Sequence, residues 1–352
     1  MILKVQELNL YSERGMIRMI KATFLGGGSF GTALSTVLAK RDDLDIVIWD
    51  RNENVINDIN LKHENSKYLK NIQLSCKIKG EKDLKTAVEG AKFLILSLPS
   101  HVIREYSKKI RPFISKDTII ISIAKGLEQG TLKRMSEIIS EEVPNNPVVI
   151  LSGPSHAEEI SIGIPTVIVA SSKDKKYSQE VQDLFMNKDL RVYTNDDLVA
   201  VELGGAVKNI IALAAGILDG MGYGDNAKAA LMTRGMSEII RIGVKLGGDL
   251  KTFYGLTGMG DLIVTCTSIH SRNRRAGILI GQGMSMEEAC KEVNMVVEGV
   301  KACKAIYELR EQINVSMPIT EALYDVLYKG ANVKECIQEL MTREKKDEII
   351  DF

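Results

Sequence analysis

Short apolar runs alternate with longer amphipathic segments through the first 195 residues of the 352-residue chain. Seven runs have the length and composition of strands, and the segments between them carry helical periodicity. The runs span residues 21–25, 45–49, 92–98, 118–123, 148–151, 166–170 and 191–193. This alternation predicts an α/β domain with a doubly wound, mostly parallel sheet and helices on both faces.

The pattern changes after Asp196. Residues 198–221 form one long apolar pattern with helical spacing, and the one strand-like run beyond it, residues 262–264, is ambiguous. We therefore predict a first domain over residues 19–197 and a C-terminal all-helical domain over residues 198–352. Because no Pro/Gly/Ser-rich linker separates them, we expect the two domains to pack tightly over a shared cleft.

Residues 1–18 form a leader of uncertain status, in which Met16 is a candidate alternative start, as is Met19 just beyond it. The leader mixes charges with apolar positions, which does not fit a signal peptide. No uninterrupted apolar segment reaches the length that a bilayer requires, so we expect no membrane insertion and a cytoplasmic location.

Composition narrows the class of partner. Lysine and arginine together number 46, as do aspartate and glutamate, so no net charge draws the chain to nucleic acid. A small-molecule partner is expected instead. The five cysteines are odd in number and scattered, which favours reduced thiols over a disulfide framework or a zinc site. We expect no bound metal.

A Gly-x-Gly-x-x-Gly turn follows the first predicted strand and opens a helical pattern. Gly26 permits a tight turn, Gly28 lets a pyrophosphate approach the backbone, and Gly31 allows the helix to pack closely on the strand. The unpaired N–H groups at the start of the helix suit an anion. This context indicates a Rossmann-like dinucleotide-binding unit.

The second predicted strand ends at Asp50 and Arg51, about twenty residues beyond the glycines. Asp50 could accept hydrogen bonds from the adenosine ribose hydroxyls, which favours NAD, whereas Arg51 could pair with a 2′-phosphate, which favours NADP. Either residue could also simply solubilise the strand end. The sequence therefore leaves both NAD(H) and NADP(H) open as cofactors.

Polar groups follow the later predicted strands, at the edge where an open sheet binds ligands. Lys125 is a candidate substrate clamp, with a solvated lysine as the alternative. Gly153 and Ser155 lie in a turn whose N–H groups suit hydroxyl or phosphate oxygens, although Ser155 also fits a helix N-cap. Residues 98–100 are given no role beyond shaping a strand end, and His156 is interpreted as incidental.

Lys208 and Asn209 interrupt the apolar helix pattern of residues 198–221. Their small and apolar neighbours predict that both point into a partly buried environment. Burial and a nearby cation such as Lys125 would lower the pKa of Lys208, which makes it a candidate general acid or base near neutrality. The alternative is a lysine whose stem lies along apolar surface with its ammonium in water.

A glycine-loosened, hydroxyl-rich stretch, residues 255–267, is followed by a tight basic cluster at residues 271–275. An arginine offers a rigid fork of donors, and a helix that begins in this cluster would add its N–H groups to the same anion site. We interpret the region as a phosphate site. Its candidate donors are Ser271, Arg272 and Asn273, and the hydroxyl-rich stretch just upstream adds Asp261 and Thr265 as candidate substrate residues.

These segments, taken in order, resemble the NAD(P)-dependent glycerol-3-phosphate dehydrogenase family, specifically its bacterial type. The matching segments are residues 26–34, 124–128, 152–155, 203–209, 260–267, 271–275 and 296–299. The resemblance implies reduction of dihydroxyacetone phosphate to sn-glycerol 3-phosphate, which supplies glycerophospholipid synthesis, and it implies a homodimer. The leader is expected to have no counterpart in that family.

The resemblance also implies roles for individual residues. Lys208 matches the proton-transfer residue, Lys125 and Asn209 would polarise the substrate oxygen, and Asp261 would position Lys208 or a substrate hydroxyl. The implied substrate contacts are Lys125, Gly153, Ser155, Lys208, Asp261, Ser271, Arg272 and Asn273, which Thr265 joins from the hydroxyl-rich stretch. The implied cofactor contacts are Ser29, Phe30, Arg51, Lys125, Ala157, Arg272, Val296 and Glu298, together with Gly26, Gly28, Gly31 and Asp50. Phe30 departs from the family, which usually has tryptophan there, but keeps an aromatic face.

Two other functions fit parts of the pattern. A related hydroxyacid or sugar-acid dehydrogenase also uses a lysine and an asparagine on the first helix of a helical domain, but the basic cluster at residues 271–275 favours a phosphate-bearing substrate. A catalytically silent NAD-binding regulatory module would not need Lys125, Lys208, Asp261 and Arg272 together.

Overall fold

The computed structural model describes residues 19–345 and 347–348, so the leader assigned to residues 1–18 lies outside the described residues. Within the described part, the first domain alternates strands and short helices. The strands are β1 (Ile20–Leu25), β2 (Leu44–Trp49), β3 (Glu64–Asn65), β4 (Leu69–Gln73), β5 (Ile78–Glu81), β6 (Phe93–Leu96), β7 (Ile119–Ser122), β8 (Val148–Ser152), β9 (Thr166–Ser171) and β10 (Leu190–Asn195). The helices are α1 (Ser29–Leu38), α2 (Glu53–Asn57), α3 (Leu84–Val88), α4 (Ile103–Ile110), α5 (Met135–Glu142), α6 (Ala157–Ser161) and α7 (Lys175–Phe185).

Eight strands form one sheet in the order β10-β9-β8-β7-β6-β1-β2-β5. Neighbouring strands pair in parallel except β8 and β9, which are antiparallel, so the predicted mostly parallel sheet is confirmed. The chain runs outward from β1 through β2 to β5 and then returns to the other side of β1 at β6. The carboxyl ends of β1 and β6 therefore flank the switch point where such sheets bind ligands.

Side chains alternate between the two faces of the sheet, and each face packs on its own apolar core. Phe24 of β1 belongs to one core and Leu25 to the other, and both are fully buried. Because the central strands are covered on both faces, they appear in the sequence as continuous apolar runs.

The strands β3, β4 and β5 are not among those predicted from the sequence. β3 and β4 form a separate antiparallel pair in which β3 spans only two residues, and β5 is an edge strand of which only Ile78 is buried. A short strand with one buried position carries no periodicity that distinguishes it from a loop.

The second domain is helical throughout the described residues. Its α-helices are α8 (Leu198–Gly220), α9 (Asp225–Lys245), α10 (Leu250–Phe253), α11 (Asp261–Thr267), α12 (Arg272–Gly281), α13 (Met286–Val293), α14 (Glu298–Gln312), α15 (Pro318–Lys329) and α16 (Val333–Thr342). The ambiguous run at residues 262–264 lies in α11 and is therefore helical. α8 is long and apolar enough to cross a membrane, but 89% of its most apolar stretch is buried inside the protein, as expected for a core helix.

α8 and α12 pack with their backbones in contact. A Cβ added at Gly216 or Gly220 of α8 would overlap a carbonyl oxygen of α12, and one added at Gly277 or Gly281 of α12 would overlap a carbonyl oxygen of α8. Each glycine pair is four residues apart and so lies on one face of its helix. This contact brings the first turn of α12 against the middle of α8.

Hydrogen bonds and ion pairs tie the two domains together. Asn195, at the end of β10, accepts a hydrogen bond from the Asp197 N–H at 2.7 Å, and the Asp197 side chain caps α8 by accepting from the Ala200 N–H at 2.9 Å. Arg134 of the first domain pairs with the buried Glu202 of α8 at 2.7 Å. These hydrogen bonds and the ion pair therefore fix the segment that connects the sheet domain to the helical domain.

Candidate active site

The glycine turn between β1 and α1 lies against the loop after β6. Gly26 has φ 113°, and a Cβ there would lie 2.7 Å from the Ser97 carbonyl oxygen, so glycine is required. A Cβ at Gly31 would lie 2.5 Å from the Ser97 hydroxyl oxygen. At Gly28, by contrast, the nearest protein atom would be 3.7 Å away, which leaves room for a ligand at the start of α1.

Two polar side chains hold Gly27, the residue in the middle of this turn. Asp50, directly after β2, accepts hydrogen bonds from the Gly27 N–H and the Asn52 N–H, both at 2.8 Å. Asn65 of β3 donates to the Gly27 carbonyl oxygen at 2.7 Å. Both Asp50 oxygens thus bind backbone, whereas the neighbouring Arg51 is exposed.

Ser29 and Phe30, expected to contact cofactor, lie at the start of α1. The Ser29 hydroxyl donates to the Tyr68 carbonyl oxygen at 2.6 Å, and both Ser29 and Phe30 are half-buried. The loop between β3 and β4, which carries Tyr68, therefore lies over the glycine turn.

The two candidate lysines share one carboxylate. Lys125, after β7, donates to Asp261 Oδ2 at 2.7 Å and to the Gly153 carbonyl oxygen at 3.0 Å. Lys208 of α8 donates to Asp261 Oδ1 and, at 2.6 Å, to the Thr265 hydroxyl oxygen. Thr265 lies one turn after Asp261 on α11, so both reach Lys208 from the same helix face.

Burial and the neighbouring charges together set the pKa values of Lys208 and Asp261. Lys208 is 4% exposed and Asp261 1% exposed. Loss of hydration lowers the pKa of Lys208 to about 7; the Lys125 charge acts in the same direction, and Asp261 opposes it. Burial alone would raise the pKa of Asp261, but the two lysines outweigh it and hold that pKa below its usual value. Asp261 therefore stays a carboxylate between two amines.

Asn209 and Asn273 join three helices behind the lysine cluster. Asn273 Nδ2 donates to Asn209 Oδ1 at 2.8 Å, and Asn273 Oδ1 accepts from the Gly299 N–H of α14 at 2.8 Å. Both asparagines are buried. Their amides are thus oriented by one another, next to Lys208 on α8.

The candidate phosphate residues lie at the start of α12. The Ser271 hydroxyl accepts from the Arg274 N–H at 3.2 Å and so caps the helix. Arg272 is half-buried, and within residues 19–345 its guanidinium has neither a hydrogen bond nor an ion pair. Burial lowers the pKa of Arg272 from its usual value. A desolvated, unpaired guanidinium at a helix N-terminus is suited to bind an anion.

The turn after β8 supports Lys125. Gly153 has φ 135°, a conformation that favours glycine, and its carbonyl oxygen accepts from both Lys125 and the Ser155 hydroxyl, the latter at 2.8 Å. Ala157, the first residue of α6, is buried beside this turn.

Glu298, the first residue of α14, meets the first domain at the loop after β6. The Ser100 hydroxyl donates to Glu298 Oε2 at 2.9 Å, and the Ser100 N–H donates to Oε1 at 3.4 Å. Val296, two residues before, is half-buried. Contacts across the two domains therefore join Lys125 and Ser100, which follow parallel strands of the sheet, to Asp261 and Glu298 of the helical domain, at the carboxyl edge of those strands.

Sequence models of one family match both halves of the chain. The N-terminal model, described as NAD-dependent glycerol-3-phosphate dehydrogenase N-terminus, matches residues 21–178, and the C-terminal model matches residues 197–338. The chain belongs to the NAD-dependent glycerol-3-phosphate dehydrogenase family. The resemblance inferred from the motifs is confirmed.

Named relatives agree with this assignment. The chain is 62% identical to glycerol-3-phosphate dehydrogenase [NAD(P)+] of Clostridium tetani over 350 residues, which cover 99% of this chain and 100% of that one. It is 60% identical to the Clostridium perfringens enzyme of the same name over 332 residues, 94% of this chain and 100% of that one. A crystal structure of glycerol-3-phosphate dehydrogenase from Coxiella burnetii matches with a TM-score of 0.89 and 34% identity over 92% of this chain and 99% of that chain.

The Clostridium tetani alignment also corrects one expectation. An alignment over 99% of the chain takes in most of residues 1–18, so the prediction that the leader has no counterpart in the family is wrong. The Clostridium perfringens alignment covers 94% of this chain and all of that relative, so that relative lacks a counterpart to some residues of this chain.

Within this member of the glycerol-3-phosphate dehydrogenase family, three residues at the cleft are missed by sequence reasoning. Asn65, Ser97 and Ser100 contact Gly27, the Gly26 carbonyl oxygen and Glu298. Asn65 and Ser100 lie outside the predicted strands and Ser97 lies within the predicted run 92–98, but nothing in the sequence marks their partners, which only the fold reveals. The predicted incidental His156 also lies at the cleft, where its Nε2 is buried without a hydrogen-bond partner among the described residues and its ring centroid is 5.8 Å from that of His270.

Proposed function

We propose that this chain catalyses the reversible reduction of dihydroxyacetone phosphate to sn-glycerol 3-phosphate with NADH or NADPH. The observation that supports this reaction best is the buried Lys208 amine, which shares Asp261 with Lys125. The next residue on its helix, Asn209, is hydrogen-bonded to the first turn of α12, where Arg272 lies. The relatives named above carry the name of this activity.

A dinucleotide fits the glycine turn. The N-cap of α1 is Gly28, which has no side chain to cap the helix, so the first N–H groups of α1 are available to a pyrophosphate. Gly28 also keeps the approach to the turn open. Ser29, Phe30, Arg51, Ala157, Val296 and Glu298 are the further residues that we propose hold the cofactor. A bound reduced nicotinamide would supply the hydride.

We propose that Lys208 moves the proton. An ammonium has three donors, and Asp261 and Thr265 take two of those on Lys208, which leaves one for the C2 oxygen of the substrate. During reduction this ammonium gives its proton to the developing alkoxide, and during oxidation the neutral amine removes the proton of the hydroxyl. A pKa near 7 makes both forms accessible in neutral solution.

Lys125 supports the same oxygen. Two of its three donors bind Asp261 and the Gly153 carbonyl oxygen, so one remains to polarise the substrate carbonyl. Asn209, oriented by Asn273, would assist from α8. Because Asp261 remains ionised between the lysines, it fixes both amines without competing for the transferred proton.

We propose that the phosphate binds at the start of α12, through Arg272, Ser271, Asn273 and the helix N-terminus. Its binding energy, remote from the reacting carbon, would orient the ketone toward Lys208. On this assignment residues 19–197 supply most of the cofactor contacts, to which Val296 and Glu298 add, and residues 198–352 supply the phosphate site and the proton donor. We further propose that the protein is a cytoplasmic homodimer that supplies glycerophospholipid synthesis.

The test is a spectrophotometric assay of NADH and NADPH oxidation in the presence of dihydroxyacetone phosphate. We expect turnover with this ketone and much weaker turnover with ketoacids that lack a phosphate. A preference for an unphosphorylated ketoacid would contradict the proposal and favour a hydroxyacid dehydrogenase. Light scattering after size exclusion tests the dimer separately, and a monomeric mass would contradict it.

A further inference from the structure

Gly27 is held on both sides. Its N–H donates to Asp50 Oδ2 at 2.8 Å, and its carbonyl oxygen accepts from Asn65 Nδ2 at 2.7 Å. Gly27 and Asn65 are buried, and Asp50 is 9% exposed. Because the N–H and the carbonyl belong to successive peptide groups, these two contacts together fix the direction in which the chain enters α1.

Each of these side chains is itself anchored. Asp50 Oδ1 accepts from the Asn52 N–H, so the carboxylate cannot rotate without losing a second bond. Asn65 Nδ2 also donates to the Thr32 hydroxyl oxygen at 2.9 Å, and Asn65 Oδ1 accepts from the Tyr68 N–H at 3.2 Å. The contact between Gly27 and its two partners is therefore part of a connected set of hydrogen bonds.

We propose that Asp50 and Asn65 are positioning residues that orient Gly27, and through it the first N–H groups of α1, toward the cofactor pyrophosphate. This inference rests on the proposed function, because it needs a dinucleotide at the turn. It assigns Asp50 a task that differs from ribose selection: each of its oxygens accepts from a backbone N–H group, and a residue that holds the turn acts on NADH and NADPH alike. The ribose end is left to the exposed Arg51.

The two roles of Asp50 predict different kinetics. A ribose ligand contributes to NADH more than to NADPH, since the 2′-phosphate replaces the hydroxyl that the carboxylate would accept from. A residue that orients the turn contributes equally to both, because the pyrophosphate is common to them. The ratio of the two dissociation constants therefore separates the roles.

The chain offers a matched control in the same domain. Asn60 holds Gly80 in a similar way: its Nδ2 donates to the Gly80 carbonyl oxygen at 3.0 Å, and its Oδ1 accepts from the Gly80 N–H at 2.7 Å. Gly80 lies on β5, the edge strand that β2 separates from β1. Asn60→Ala thus removes a two-point contact on a glycine, here more exposed to solvent, without removing any hydrogen bond to Gly27.

The experiment is calorimetric titration of the full chain with NADH and with NADPH, together with steady-state kinetics and Tm. For Asp50→Ala and Asn65→Ala we expect both dissociation constants to rise by about tenfold or more with their ratio unchanged. The kcat at saturating cofactor and the KM for dihydroxyacetone phosphate should stay within about twofold of the parent values, since neither residue reaches the lysine cluster. Asn60→Ala should lower Tm and leave both constants unchanged.

Conservative variants guard against a failure to fold. Asn65→Asp keeps the shape of the side chain but removes its donors, so it should weaken both cofactors as Asn65→Ala does. Asp50→Asn serves if Asp50→Ala does not fold. Selective loss of NADH binding in an Asp50 variant, or unchanged constants in the Asn65 variants, would overturn the inference. A parent protein that binds neither cofactor would instead overturn the proposed function.

Discussion

Lys208 of α8 and Glu238 of α9 are both almost fully buried, and burial moves the pKa of each to about 7, downward for the lysine and upward for the glutamate. Glu238 is surrounded by donors: it accepts from the Ile319 N–H at 2.6 Å, the Thr320 N–H at 3.1 Å and the Thr320 hydroxyl at 2.9 Å. These groups form the first turn of α15, so Glu238 caps a helix.

Lys208 differs in what its surroundings leave unsatisfied. It shares one carboxylate with a second lysine and keeps one donor free, at a cleft where two domains meet. A shifted pKa therefore does not by itself distinguish a chemical group from a structural one. We propose that the distinguishing feature is a hydrogen-bond donor left unused at the cleft, as on the Lys208 ammonium.

The largest effect is expected at Lys208. Lys208→Met keeps the apolar stem but removes the amine, so kcat should fall by about 10²- to 10⁴-fold, as for loss of a general acid. Cofactor dissociation constants should change little. The control is Lys228→Ala, which removes a lysine that pairs with Asp219 instead. Near-parental turnover in Lys208→Met would place Lys208 with Glu238 as a structural group.

Arg272 and Arg274 of α12 allow the same comparison between a group that has no partner among the described residues and one that is paired. Arg274 is paired with Asp219 at 2.6 Å, whereas Arg272 has no partner in the described part of the chain. Arg272→Ala should raise the KM for dihydroxyacetone phosphate by about 10- to 100-fold, because charge-assisted bonds to phosphate are lost. The exposed Arg275 provides the control variant, Arg275→Ala. An unchanged KM in Arg272→Ala would remove the phosphate site from α12.

The pH dependence should reveal the lysine in the kinetics. Reduction needs the Lys208 ammonium, so kcat/KM for reduction should be level below a pH of about 7 and fall by about tenfold per pH unit above it. Oxidation of sn-glycerol 3-phosphate needs the neutral amine, and its rate should rise through the same range. Profiles for both directions that stay flat from pH 6 to about 9 would show that Lys208 does not titrate in catalysis.

The smallest effect on activity is expected at Glu238, whose titration should appear in stability. Its folded pKa of about 7 lies above the ordinary value of 4.5, so the folded state binds more protons and the free energy of unfolding falls as pH rises between these values. Glu238→Gln should remove this part of the pH dependence of Tm, a change of a few degrees, with kcat within about twofold of the parent. A large loss of kcat would give Glu238 a role at the site.

Periodicity and motif spacing predict the central strands and the long apolar helix well. The apolar runs become the central strands because those strands are buried on both faces, and Lys208 is found because it interrupts a helix that is otherwise apolar. The partners of these residues are harder to predict. Asp261 lies 53 positions from Lys208 and 136 from Lys125, so spacing alone does not link the three. The family resemblance implies that Asp261 positions Lys208, and the fold shows that both lysines share its carboxylate.

The contacts that the sequence does not predict share one physical cause. Asn65 belongs to a two-residue strand, and Ser100 to a loop that contacts the other domain, so neither burial pattern nor spacing marks them. Asp50 lies where a ribose ligand is expected, but the sequence does not report that backbone N–H groups already occupy its oxygens. Hydrogen bonds between distant segments leave no local pattern.

The glycine contact between α8 and α12 fixes the distance between the two helices. Since main chain touches main chain, no rotamer change can alter the spacing of the two helices, and a side chain at any of the four glycines would force α8, which carries Lys208, away from α12, which carries Arg272. The relative position of the proposed proton donor and the proposed phosphate site therefore depends on four residues that have no side chain.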